Sequence, residues 1–71
     1  MENVLTKKIA QNLRRIRIQK GLSQEQVAEM SNMHWTYYSR IERALHKDIS
    51  VRRLKNITDA FGVTLDDVVY G

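Results

Sequence analysis

The sequence predicts an all-α domain, a compact bundle of five short helices, and three observations carry that expectation. Apolar residues recur at the three- and four-residue spacing of helices, cap-forming residues and glycines punctuate the chain at short intervals, and neither strand-like alternation nor proline interrupts it. Leu5, Ile9, Leu13 and Ile16 mark a first helix, which Gly21 can close in the left-handed conformation. Ser23 with Gln26 has the form of a capping box, so a second helix is expected to start at Gln24, with Val27 and Met30 as its apolar stripe and Ala28 small enough to admit a neighbouring helix. Asn32 is the turn residue, because Asn tolerates the left-handed region better than most residues. Met33, Tyr38 and Ile41 then face inward from that turn and a third helix. Ala44 to Ile49 is an irregular connection. Ser50 caps a fourth helix in which Leu54, Ile57 and Phe61 line the core and Gly62 ends the run. Thr64 caps a short fifth helix containing Leu65, Val68 and Val69, with Asp66 and Asp67 in the first turn, where the helix dipole favours negative charge.

Length and composition bound the function classes. Seventy-one residues make one domain, small enough that dimerisation would help its stability. The absence of cysteine excludes a disulfide framework, a thiolate metal site and a thiol nucleophile, and is compatible with a reducing cytoplasm. No apolar run is long enough to span a membrane or to serve as a signal core, so no membrane association is expected. His34 and His46 lie twelve residues apart without cysteine or an acidic cluster at ligand spacing, so neither a metal nor a cofactor is expected. The charge of +4 is unevenly spread: residues 1–22 and 34–55 hold all the lysines and arginines, whereas the last sixteen residues carry Asp59, Asp66 and Asp67 and no basic group. One end of the molecule is therefore expected to meet a polyanion, unless these charges merely solvate helix faces.

The segment Leu22 to Arg43, LSQEQVAEMSNMHWTYYSRIER, concentrates the information. With Met33, Tyr38 and Ile41 directed inward, Trp35, Thr36, Tyr37, Ser39, Arg40 and Arg43 are left outward, a set suited to a DNA groove. Thr36 can bond a base edge or give its methyl to thymine, or else bond its own backbone; Tyr37 can reach a phosphate or sense a deformable step. Arg40, one turn after Thr36 on the same face, can reach a guanine bidentately, the alternative being a solvated side chain. Arg43 and Lys47 suit phosphates better than bases, and Ser39 is grouped with them. His34 is expected to cap or flank the third helix.

The same segment resembles the helix-turn-helix of the Cro/C1-type repressor family, whose members read LSQEELA, a turn, and a recognition helix closing on SRIERG. Thr36 and Tyr37 before S-x-I-E-R resemble a subgroup, the controller proteins of restriction-modification systems. The resemblance runs from about Ile9 to Val69 and implies a lambda-repressor-like domain over 1–71, its helix-turn-helix at about 24–43. It implies a phosphate anchor at Gln24, the alternative being a solvated helix start. It places Trp35 at the opening of the recognition helix, to stack on sugar or touch a thymine methyl, or instead to pack over the first helix. It implies a buried ion pair between Arg17 and Glu42, structural in role, and a groove-facing loop residue at His46, suited to a phosphate or base contact, the alternative being plain exposure.

Val63, Leu65, Val68, Val69 and Tyr70 put apolar groups on more than one face of a short helix, which points to a dimer interface rather than completion of the monomer core. The leading expectation is thus a homodimeric, cytoplasmic, sequence-specific transcription regulator that binds double-stranded DNA at an inverted repeat. An antitoxin-like interaction module binding its own promoter is the alternative. No nucleophile with a paired base and no Gly-rich phosphate loop supports an enzyme.

Overall fold

The computed structural model describes residues 4–46 and 48–71, so the phosphate contact expected of Lys47 lies outside the described residues. Five helices follow one another: α1 (Val4–Gln19), α2 (Gln24–Met30), α3 (Trp35–Glu42), α4 (Val51–Phe61) and α5 (Leu65–Val69). Helix α1 packs on α3 and α5, α2 packs on α3 and α4, and α4 meets α5. Side chains from every helix converge on one core, in which Leu13, Val27, Tyr38, Ile41, Ile57 and Val68 are fully buried. No described helix is long and apolar enough to cross a membrane.

The start of each of the last four helices follows from its cap. Ser23 accepts from the Gln26 N–H while the Gln26 side chain accepts from the Ser23 N–H, at 3.0 and 2.8 Å. Thr64 and Asp67 form the same reciprocal box at α5, and Ser50 accepts from the Arg53 N–H at α4. Each box satisfies amide donors that have no partner within the helix.

The ends share one device. Gly21, Asn32, Ala44 and Gly62 all adopt positive φ, at 69, 56, 56 and 73°. After each, the next N–H bonds back to the carbonyl five residues earlier: Leu22 to Arg17, Met33 to Ala28, Leu45 to Arg40 and Val63 to Thr58, at 3.0–3.1 Å. This pairing caps orphan carbonyls and reverses the chain within a few residues. Three of the four residues suit the left-handed region, but Ala44, which stands where SRIERG has its glycine, does not. Its Cβ strains that conformation.

Two expectations about the core need correction. Met30 is 52% exposed. The buried face of α2 runs through Val27 and Ala28 to Ser31, and Met30 projects from the far edge of that arc. Leu5 is also 52% exposed. It lies on the core stripe by spacing, but the five-residue α5 offers little chain to cover the first turn of α1. Buried polar groups complete the stripe instead: the Asn12 amide donates to the Val68 carbonyl at 2.6 Å and ties α1 to α5.

The expected ion pair is present. Arg17 Nε donates to Glu42 Oε2 at 2.6 Å and Nη2 to Oε1 at 3.1 Å, with side chains only 14 and 2% exposed. Arg17 Nη1 also donates to the Leu22 carbonyl at 2.9 Å, and Gln24 Nε2 to Glu42 Oε1 at 3.1 Å. Burial by itself would raise the Glu42 pKa, but Arg17, aided by Tyr38 and Gln24, outweighs it and holds the carboxyl below its ordinary 4.5. The bond to Glu42 raises the Arg17 pKa despite burial. Burial first, then Glu42, pushes the Tyr38 phenol up.

Removing either partner strands a desolvated charge, so Glu42→Gln is expected to cost about 3 kcal/mol in urea unfolding at neutral pH. Because the folded pKa of Glu42 is depressed, the pair contributes fully above pH 4.5 and its contribution is lost as pH falls below that value. Acid titration of stability should therefore be shallower in Glu42→Gln. At the end of α3, Ala44→Gly should raise stability by roughly 0.5–1 kcal/mol, since relief of left-handed strain exceeds the added freedom of the unfolded chain. A thermal melt of the two chains checks this.

Candidate nucleic-acid interface

Helix α3 is anchored from beneath by Tyr38 and Ile41, both fully buried, and this leaves Trp35, Thr36 and Arg40 exposed on its outer side. Its entry is fixed by His34. The His34 Nδ1 accepts from the Thr36 N–H at 3.2 Å and lies 2.8 Å from Thr36 Oγ1. An imidazole serves as the N-cap that Ser, Thr or Asp usually provides. The Thr36 hydroxyl is thus engaged locally, while the residue remains exposed.

Around this anchor the expected outward set divides. Trp35, Thr36, Arg40 and Arg43 are exposed, whereas Tyr37 and Ser39 are half-buried. Trp35, 45% exposed, stands outside the core cluster. Thr36 and Arg40 lie one turn apart on α3, and Arg43 forms its C-cap. Gln24 is drawn into the Arg17–Glu42 cluster through its amide.

Tyr37 and His46 come together. Their ring centroids are 4.5 Å apart with planes inclined at 33°. His46, where a base or phosphate contact or plain exposure was expected, is half-buried with its ring against Tyr37. A residue outside the expected set joins them, because the Arg53 guanidinium lies 4.3 Å from the Tyr37 ring centroid. The sequence held a sign of it: Arg52 and Arg53 occupy the first turn of α4, where cations oppose the helix dipole, and α4 has no acidic residue there. A charge placed against the dipole points to a contact elsewhere.

The charge separation is less complete than the sequence suggested. Arg17 is consumed by Glu42, and Arg15 and Lys20 line a cleft together with Asp67 of α5. The basic residues of α1 therefore do not all belong to the α3 side. At the opposite end, Val68 is fully buried and belongs to the core of its own domain, which corrects its assignment to a partner surface. Its side chain completes the seam between α1 and α5. Val63, Leu65 and Val69 pack on the core but stay partly exposed, and Tyr70 is 77% exposed.

The comparisons agree with this geometry. A helix-turn-helix family model matches residues 13–68. The wild-type restriction-modification controller protein C.Esp1396I is 33% identical, with 90% of this chain and 81% of that chain covered at a TM-score of 0.84. The restriction-modification controller protein C.AhdI from Aeromonas hydrophila is 28% identical, with 89% and 94% covered at 0.84. The clp gene regulator ClgR from Corynebacterium glutamicum is 30% identical, with 99% and 73% covered at 0.88. No curated protein sequence matches the chain. With its two capped helices, the left-handed turn at Asn32 and an outward face on α3, the chain belongs to the Cro/C1-type helix-turn-helix family of DNA-binding transcription regulators.

Proposed function

We propose that the protein acts in the cytoplasm as a homodimer that binds an inverted-repeat operator in double-stranded DNA and controls a restriction-modification system. The observation that carries this reading is the division of α3, with Tyr38 and Ile41 sealed in the core and Trp35, Thr36 and Arg40 exposed on one short helix. The likeness to two restriction-modification controller proteins supports the controller role. Trp35, Thr36, Tyr37 and Arg40 read bases; Gln24, Ser39 and Arg43 hold phosphates. The Gln24 amide has two N–H donors, so its bond to Glu42 leaves one for a phosphate oxygen and fixes its direction.

Dimerisation places two α3 helices in successive major grooves about 34 Å apart. The surface for it is the α5 end, where Val63, Leu65, Val69 and Tyr70 retain apolar exposure and Asp66 and Asp67 form a polar rim. Selection of bound sequences from a random duplex pool tests the reading directly: an inverted repeat is expected, and enrichment of no sequence overturns it.

Base readers and phosphate anchors separate by measurement. Arg40→Ala should lower discrimination at one base pair by about 1–3 kcal/mol. Arg43→Ala should weaken all duplexes alike and reduce the log–log salt slope by about 0.9 per protomer. At the other end, Tyr70→Asp, outside the core cluster, should leave the domain folded while shifting sedimentation toward the monomer and weakening operator binding at least tenfold. An unchanged dimer would remove α5 from the interface.

A further inference from the structure

We infer that Arg53 and His46 are positioning residues for Tyr37, holding its ring at a set angle on the DNA-reading surface and thereby shaping which base step it accepts. The inference rests on the DNA-binding reading above and adds to it two residues that act through a third. Tyr37 is carried on a helix whose inward neighbours, Tyr38 and Ile41, are locked, so its backbone is fixed. Its side chain packs against the edge of that core and stays half-buried, which leaves its outer flank some rotamer freedom in the absence of lateral contacts. Two contacts from two other parts of the chain remove the freedom: the Arg53 guanidinium from the first turn of α4, at 4.3 Å, and the His46 ring from the α3–α4 connection, at 4.5 Å.

The three groups bind one another by stacking. No hydrogen bond joins Arg53 or His46 to Tyr37 among the described contacts, and the buried His46 Nε2 has no hydrogen-bond partner among the described residues. A ring nitrogen withdrawn from water without a partner opposes that placement, so contact with Tyr37 must contribute to holding His46 there. A guanidinium suits the task better than an ammonium because its plane stacks on an aromatic face while its N–H groups remain directed outward. Its position in the first turn of α4, against the helix dipole, agrees with a role in the stack rather than in helix stability. The arrangement also couples the α3–α4 connection to the recognition helix, since His46 follows Ala44, the strained residue that turns the chain out of α3.

Two measurements test this. In the free protein, the Arg53 side-chain protons should be shifted upfield by the Tyr37 ring in NMR spectra and should return to ordinary positions in Tyr37→Leu. Arg53 resonances at ordinary positions in the unmutated chain would overturn the stack without reference to DNA. The second is a double-mutant cycle on a duplex selected from the random pool. Arg53→Lys keeps the charge, so the salt slope should not change, while preference for the selected duplex over an unrelated one should fall roughly two- to fivefold. His46→Ala should act in the same direction. In a Tyr37→Leu background both substitutions should be silent. An equal fall in that background would show that Arg53 and His46 act independently of Tyr37 and would overturn the proposal, although the DNA-binding reading would stand. Failure of the unmutated chain to prefer any duplex would overturn both. Far-UV circular dichroism and melting of each variant separate loss of fold from loss of preference.

Discussion

Arg17 and Glu42 form the contact on which the rest of the arrangement depends. The pair joins the end of α1 to the end of α3, and its two further bonds draw in the Leu22 carbonyl and the Gln24 amide. The last turn of α1 and the start of α2 are thereby bonded to the carboxylate at the end of α3, and the loop carbonyl of Leu22 is tied to the same cluster through Arg17. The tilt of α3 relative to α1 and α2 is set at this point, and so is the direction in which Thr36 and Arg40 project. A desolvated ion pair contributes little net stability compared with an apolar contact of equal volume, but it tolerates little misplacement. In a domain with so small a core, that requirement for correct geometry is well suited to holding a recognition helix at a defined angle.

Short helices make a second constraint. Helices α2, α3 and α5 have seven, eight and five residues, below the length at which a helix is stable alone. They persist because their ends are satisfied and their inner faces are buried. Reciprocal boxes cap α2 and α5, an imidazole caps α3, and left-handed residues followed by a bond five residues back close α1 to α4. The device at Ala44 is built from a residue that resists it. The connection to α4 thus begins from a strained turn, and the residue two places on, His46, rests against Tyr37 on the α3 surface. Backbone conformation at the end of the recognition helix and side-chain placement on its face are linked through that stretch.

The two ends of the molecule divide the tasks by burial. At the α3 side the core takes Tyr38 and Ile41 and releases polar and cationic groups to solvent, which is the surface chemistry the proposed phosphate and base contacts require. At the α5 side the core takes Val68 and leaves Val63, Leu65 and Val69 only partly covered. The division is not a simple one of charge, because Arg15 and Lys20 share a cleft with Asp67. Exposed apolar area at one end and exposed donors at the other are what a protein needs if it is to join its own copy and a polyanion together.

Much of this was legible in the residues. The five helices, the caps at Ser23, Ser50 and Thr64, and the turns at Gly21, Asn32 and Gly62 follow from local chemistry, because a side-chain oxygen at a helix start or an unhindered left-handed residue at its end acts within a few positions. The inward placement of Tyr38 and Ile41 followed from helical spacing in the same way, and the Arg17–Glu42 pair from resemblance. Other features depended on what each residue meets across the fold. Spacing put Leu5 and Met30 on apolar stripes, but whether a stripe is covered depends on where the neighbouring helix ends. Val68 and Val69 are adjacent and chemically identical, and only the packing of α5 on α1 decided that the first is sealed while the second is not. The left-handed turn at Ala44 had no local sign, since tertiary closure imposed a conformation that alanine does not favour. The meeting of Tyr37, His46 and Arg53 is of the same kind: sequence determined three suitable groups and a charge set against a helix dipole, and the angle between α3 and α4 brought them within stacking distance.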